Sequence, residues 1–400
     1  MANTLLTPTA VTRESARILH QKLNFVGACD RQYDDSYKNG GATVKGKFGP
    51  TLKIRMPNEY TVRTGLTMSA QDTSESSVDL TVSTVKGVDM SFTSSELALS
   101  LDDFSSRIIE PAMSVLASAI EADALSMYQD VYNLADGDTV AFGFNSVSDA
   151  TTGLTKMLAP QSDRFMTMTP DHCNKFRKDT KGLFHDGDNI KQQYREGIIG
   201  RTSGFTMYEN TLLVPHTTGT AAKVSGYLVN GASQTGSTLV VDTGTTTFLK
   251  GDVITIAGVF RVHPETKATT SDLQQFVVTA NSGASATSLA ISPAIVTSGA
   301  KQNVSGSPAD NAAITKVGAG ASETLSQSLA FHKSAFAFVT ADLPLPDGTD
   351  WARREVVDGI SVSLVRDFSI SDRSFPCRLD VLYGYKAVRP QLAYRVHNDG

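Results

Sequence analysis

An α+β fold, with a small β-module set into an α/β body, is what the sequence predicts. Hydrophobicity of period two runs through residues 41–93, and a helical period replaces it from Ser94 to Leu134. Residues 217–329 then lose the helical signal in favour of short strands between Gly, Ser and Thr turns. The chain of 400 residues has room for about two or three domains and buries roughly three quarters of its unfolded surface, so it needs no metal or disulfide staple. Charged residues make up only 19%, below the usual ~25%. Ser, Thr, Asn and Gly take their place, which suits a turn-rich chain with a neutral polar surface.

Residues 1–40 read as an arm. Thr7 or Thr12 caps a short helix whose narrow apolar stripe is Val11, Ile18, Leu19 and Leu23. The stretch ends in Asn39-Gly40-Gly41, with too little apolar surface to pack on its own, so it is either a frayed terminus or an arm that orders on a partner. In residues 41–93, Thr51–Met56 and Tyr60–Leu66 alternate as strands. After the polar stretch Ser69–Ser77 comes a longer run in which Val78, Leu80 and Val82 share one face. A two-stranded ribbon is marginal alone. Its apolar face is therefore expected to lie on something else. Gly87 interrupts the run as a hinge or a bulge.

Residues 94–138 carry the helix, with Leu97, Leu101, Phe104, Ile108, Met113, Leu116, Ile120 and Ala124 at helical spacing. Pro111 kinks it or starts a second helix. From Met113 to Leu134 it would run about 33 Å, stopped by Asp136-Gly137-Asp138. Glu110, Glu121, Asp123 and Asp130 read as its solvated face.

Residues 139–216 are mixed: a helix over Ser148–Leu158, a strand over Arg164–Thr169, a helix from Pro170 to about Lys178, another over Ile190–Gly197, and strands at Gly204–Tyr208 and Leu212–Pro215. The module follows, with strands at Gly226–Val229, Thr238–Val241, Val253–Ile256, Phe260–His263, Gln275–Thr279 and Ser288–Ile291, the spacing of a small barrel or sandwich. The α/β pattern resumes at Leu329 with Ala335–Thr340, Ile360–Val365, Arg378–Tyr383 and Ala387–Val396.

No chemistry stands out. The net charge of −5 argues against binding nucleic acid through a general basic field. Cys29, Cys173 and Cys377 are scattered, without a CxxC pair. The histidines show no HxxxH or HExxH spacing, and there is neither GxGxxG nor GxSxG. His185-Asp186-Gly187-Asp188-Asn189 lacks the spacing of a calcium loop and reads as a turn capping the next helix. The expectation is therefore no catalytic, cofactor or metal residues, and no enzyme. The lone Trp351, beside Arg353 and Arg354, reads either as an interface anchor or as a partly buried packing residue. The first residues contain no apolar signal run, since Pro8, Arg13, Glu14 and Arg17 break it, and no run reaches the ~18 residues of a membrane span.

Taken in order, the arm, ribbon, helix, α/β body and inserted module resemble the major capsid proteins of tailed bacteriophages, in particular coat proteins of the phage P22 type. The resemblance is sharpest at Ile198-Ile199-Gly200-Arg201 through Gly204-Phe205 to Leu213-Val214-Pro215, at Gly251–Val259, and at Tyr383-Gly384-Tyr385 through Arg389-Pro390. It implies the HK97-like capsid fold. Residues 1–40 become the N-terminal arm, 41–93 the E-loop, and 94–138 the spine helix of the peripheral domain. Residues 139–216 become the axial and peripheral body, 217–329 the inserted β-barrel, 330–384 the continued axial domain, and 385–400 the closing peripheral strand.

The resemblance also implies a role and partners. Copies self-assemble as hexamers and pentamers of an icosahedral shell around double-stranded DNA, held without sequence-specific binding and with no membrane. Assembly runs in the host cytoplasm through a scaffold-assisted procapsid that later expands, with a portal protein at one vertex. On that reading Ile18, Leu19, Val78, Leu80, Val82 and Trp351 lie between subunits, and Gly40, Gly41 and Gly87 are hinges. The loop Asn230–Ser237 is uncharged, so a charged latch there is not part of the resemblance. The alternative is a nanocompartment shell of the encapsulin type.

Overall fold

The computed structural model describes residues 23–31, 51–63, 65–68, 70–71, 75–93, 110–135, 142–181, 200–318, 320–357, 360–371 and 374–398. Ile18, Leu19, Gly40, Gly41, the start of the helical stretch, Asp136–Asp138, the 185–189 turn and the Ile190–Gly197 helix lie outside them. The described chain forms two compact units.

One unit gathers Ser77–Leu125 and Phe336–Val388 with the segment ending at Ile54. Its centre is the long strand Ser374–Ala387. One side of that strand pairs with Thr84–Thr93 in unbroken antiparallel register, Ser374 opposite Thr93 and Tyr383 opposite Thr84. The other side takes Phe336–Ala341 and Ile360–Arg366, and Trp351–Val357 forms the outer edge. Phe336–Val339 and Ile360–Leu364 are buried at every position, the pattern of strands covered on both faces. Trp351 opens the edge strand, opposite Arg366. A single sheet thus joins 336–387 to the ribbon strand, whereas Thr324–His332 belongs to the other unit's sheet. The expected grouping of 330–384 with 139–216 therefore divides near Ala335.

The helix Glu110–Leu125 buries Met113, Leu116, Ala117, Ile120 and Ala124, the stripe that the period predicts. Glu121 and Asp123 do not belong to a solvated face. Glu121 is buried, and Asp123 accepts from the Tyr383 hydroxyl at 2.5 Å and lies 2.7 Å from Lys86 Nζ. Burial first, and Asp123 second, push the Tyr383 phenol well up, so it remains a donor that ties helix to sheet. The helix also ends before Leu134. It tightens into a 3₁₀ turn at Ser126–Asp130, and Leu134–Ala135 instead pairs in parallel with Arg395 and Val396. Sheet pairing captures the end of the helical pattern.

In the other unit a sheet runs in the order Leu134–Ala135, Ala393–Asn398, Thr324–His332, Arg164–Met168, Phe205–Glu209, Arg201–Thr202, and His216–Thr217 pairs with Thr324–His332 off this path. Helices Phe144–Lys156 and Pro170–Thr180 accompany it. Thr169 caps the second through His172 N, with Pro170 in its first turn. Leu212–Pro215 forms no strand.

The inserted module closes into a barrel of Val224–Val229, Gly236–Asp242, Ser288–Ile295, Thr269–Val278, Val253–Val262 and Ala313–Lys316. Tyr227, Val229, Leu239, Val241, Ile254, Ile256, Phe276 and Val278 alternate into its core. The two strands expected at Val253–Ile256 and Phe260–His263 are one strand, with a register shift between Thr255 and Phe260. The closing strand Ala313–Lys316 is too short to read from periodicity.

Gly87 is neither bulged nor bent: it sits inside the unbroken ladder opposite Asp380. A Cβ there would collide with the Asp380 carboxylate and the Leu379 carbonyl oxygen. Gly87→Ala is expected to lower subunit stability by about 1–3 kcal/mol, read by urea denaturation. An unchanged midpoint would show that the strands separate freely at this position.

Candidate functional site

The sequence shows no catalytic motif, and the candidate site is an exposed apolar surface. The ribbon pairs Thr51–Arg55 with Ser77–Thr81. Ile54 and Leu80 are buried within their own chain, Leu80 with no exposure, and so is Val82. Gly384 carries no Cβ where the Thr81 carbonyl and the Val82 backbone cross it, so the ribbon stem lies directly on the long strand. Leu80 and Val82, expected from the sequence to cover a neighbour, instead fill their own subunit, and a charge at Leu80 would disrupt the subunit itself. Val78 is half-buried.

Beyond the stem the pattern reverses. Met56 N bonds Ser76 O at 2.8 Å, and Pro57 then has no N–H to continue the ladder. The strand expected at Tyr60–Leu66 does not form. Side-chain bonds organise the loop instead. Gln71 Oε1 accepts from Thr61 N at 2.9 Å, and Gln71 Nε2 donates to Thr61 O at 2.6 Å, so one amide serves as a strand partner. Arg63 Nη1 donates to the carbonyls of Gly65 and Thr67.

With the backbone held this way, the apolar side chains stand outward. Val62 is 95% exposed, Leu66 100% and Met68 80%, and Tyr60 is also exposed. So many large apolar groups on one short loop mark a contact surface. At its base, Arg55 pairs with Glu75 at 3.3 Å, and Lys267 Nζ lies 3.4 Å from Glu59.

A second apolar point is the turn after Ile360–Arg366, where Ile370 is 84% exposed and Phe368 is also exposed. Its base is rigid. Arg366 forks onto the Asp350 carboxylate at 3.0 and 2.6 Å and lies over the Phe375 ring, which packs on Phe368.

The root of the barrel is a buried polar cluster. Asp252 Oδ2 accepts from Gly219 N and Leu249 N at 3.0 and 2.9 Å, and its Oδ1 meets His216 Nε2 at 3.0 Å. The Tyr128 hydroxyl lies 3.3 Å from His216 Nδ1. Arg395, fully buried, donates to Gly251 O at 2.6 Å and lies over the Tyr128 ring. Burial pulls its guanidinium down to about 10, so it stays charged at neutral pH. Gln275 from the barrel pairs with Leu134, accepting from its N–H and donating to its carbonyl, both at 2.8 Å. The sheet's edge strand is thereby closed by an amide side chain.

Sequence reasoning missed these residues. Gly251-Asp252 preceding an apolar strand was the available signal for a turn built on a carboxylate. Arg395 and Gln275 carry no local signal. Among the described residues no His, Cys, Asp and Glu grouping would hold a metal ion, and no helix is long and apolar enough to cross a membrane.

The family described as P22 coat protein, gene protein 5, matches residues 43–394. The chain belongs to the P22 coat protein family. No curated protein matches it. Among solved structures, the Mycobacterium phage Che8 chain is similar over 94% of this chain and 90% of its own, at 14% identity and a TM-score of 0.49. The capsid chain of cyanophage P-SCSP1u covers 88% of this chain and 84% of its own, at 10% identity and a TM-score of 0.44. The CUS-3 coat protein I-domain is 31% identical over 24% of this chain and 97% of its own, with a TM-score of 0.20. For this member of the P22 coat protein family, the exposed loop 56–76 and the 367–371 turn are the candidate assembly surfaces.

Two predictions concern the integrity of the barrel-bearing unit. Asp252→Ala strands two buried amides and His216, and is expected to cost about 2–4 kcal/mol; an unchanged urea midpoint would contradict the root assignment. Burial holds His172 down to about 4 and also lowers His216. The unfolded chain takes up protons on both as pH falls through about 6.5, while the folded chain resists, so stability present above that pH is lost toward pH 4. The melting temperature is expected to fall over this window and His172→Gln to flatten part of the fall; an equal slope in both proteins would exclude His172.

Proposed function

We infer that the chain is the major capsid protein of a tailed bacteriophage, copies of which tile the icosahedral shell of the virion. The family match over residues 43–394 carries this reading, and favours it over an encapsulin-type compartment. The physical counterpart is a chain that completes its own cores and leaves a short, internally tied loop of apolar side chains uncovered.

In the finer reading the fold is HK97-like and the segment 41–93 is the E-loop. Its outer part, Tyr60, Val62, Leu66 and Met68, lies over an adjacent subunit and removes that surface from water. Ile18 and Leu19 on the arm, Val78 at the stem and Trp351 on the sheet edge add further contacts between copies. Gly40 and Gly41 let the arm swing. Many identical weak contacts repeated by symmetry then give collective stability. Assembly proceeds on a scaffolding protein in the host cytoplasm, around a portal. The net negative charge suits a container through which double-stranded DNA slides without sequence-specific binding. Expansion is a rigid-body and hinge rearrangement.

The loop is the part to test. Val62→Asp with Leu66→Asp is expected to leave the melting temperature of the free subunit unchanged within about 2 °C, since neither side chain is buried. Co-expressed with a scaffolding protein, the variant should remain as subunits by sedimentation and negative-stain microscopy, where the wild type gives shells. Normal shells from the variant would remove the loop from the assembly surface.

A further inference from the structure

The described chain begins at the root of the arm, and that root is built into the fold. Leu23, Phe25, Val26, Ala28 and Cys29 are all buried. The short helix Asn24–Ala28 has Leu23 before it and no side-chain cap of its own. The acceptor comes from far along the chain: the buried Glu121 carboxylate takes Phe25 N at 2.5 Å and Val26 N at 3.2 Å. On the other side of the root, Asp30 N donates to Phe336 O at 2.9 Å and Asp30 O accepts from Phe338 N at 3.1 Å. The root therefore covers the outer edge of the Phe336–Ala341 strand. The Phe25 ring packs on Phe336, with centroids 5.6 Å apart.

Each half of this arrangement needs the other. A carboxylate this buried is tolerated only with hydrogen-bond donors in place, and two buried amides without an acceptor are equally costly. The helix carrying Glu121 is itself held to the sheet through Asp123, two positions on, by Tyr383 and Lys86.

We propose that Glu121 is the positioning residue of the N-terminal arm: from the long helix it fixes the arm's root, residues 23–31, in place on the subunit. The inference rests on the reading of the arm as a contact between copies. Glu121 is itself buried within its own chain. It acts through residues 23–31, and a change that frees the root leaves the arm without a defined origin.

Buried cysteines on separate elements provide the readout. Cys29 lies in the root, where burial and the Glu121 charge push its thiol well up. Burial pushes Cys173, on the Pro170–Thr180 helix, up to about 12, and Cys377, on the long strand, up to about 11. All three thiols are free and buried. Maleimide labelling of the full chain at neutral pH, quantified for each cysteine by peptide mass spectrometry, separates local opening of the root from general unfolding.

In Glu121→Ala, labelling at Cys29 is expected to rise about tenfold or more while Cys173 and Cys377 stay protected, and shell yield with a scaffolding protein to fall by a similar factor. Glu121→Gln keeps one carbonyl acceptor and should fall between Glu121→Ala and the wild type in both measurements. Three outcomes overturn the assignment: protection of Cys29 in both variants, an opened root with normal shell yield, or simultaneous labelling of all three cysteines, which would mark a general stability role. A chain lacking residues 1–22 tests the underlying reading separately. Normal shells from it would refute the arm as a contact between copies, whatever Cys29 reports.

Discussion

A backbone N–H or carbonyl removed from water must find a partner, and in this subunit side chains from distant parts of the sequence repeatedly supply it. Glu121 takes the amides of Phe25 and Val26. Gln275 pairs both backbone groups of Leu134 at the edge of a sheet. Arg395 donates to the carbonyl of Gly251, and Asp252 takes the amides of Gly219 and Leu249. These bonds close ends or edges that secondary structure leaves open, and all but the local Leu249–Asp252 turn bond join segments that are far apart in the chain. The architecture of both units depends on these closures as much as on apolar burial.

The exposed loop follows the same rule with a different result. Gln71 bonds both backbone groups of Thr61, and Arg63 takes the carbonyls of Gly65 and Thr67, so these groups of the loop need no strand partner. Its apolar side chains are then left in water. In the proposed assembly, a neighbouring copy relieves the unfavourable hydration of Val62, Leu66 and Met68. Buried cores behind an exposed apolar loop fit the proposed subunit, whose copies associate through that loop.

Much of the fold was legible in the sequence because it is written in periods. The ribbon strand after Ser77, the stripe from Met113 to Ala124 and most barrel strands follow alternation or helical spacing directly. Where the reading failed, tertiary contact decided. Pro57 ended a ladder that alternation alone would have continued through Tyr60–Leu66. Leu80 and Val82 looked available because periodicity gives a face but not its neighbour, and here the neighbour is the subunit's own long strand at Gly384. Glu121 and Asp123 looked solvated because a charged residue is usually exposed, and only the folded chain brings Phe25, Tyr383 and Lys86 to them. For the candidate site the sequence pointed to the segment 41–93, but the exposed apolar side chains, Tyr60, Val62, Leu66 and Met68, lie farther along the loop than the residues it named.

Hydrogen exchange on free subunits and on assembled shells compares inward closure with outward incompleteness in one experiment. Peptides covering 62–71 should exchange rapidly in the free subunit and become protected in shells, while Phe25, Val26 and Leu134 stay protected in both. Equal protection of 62–71 in the two states would contradict a surface that is completed only by a second copy.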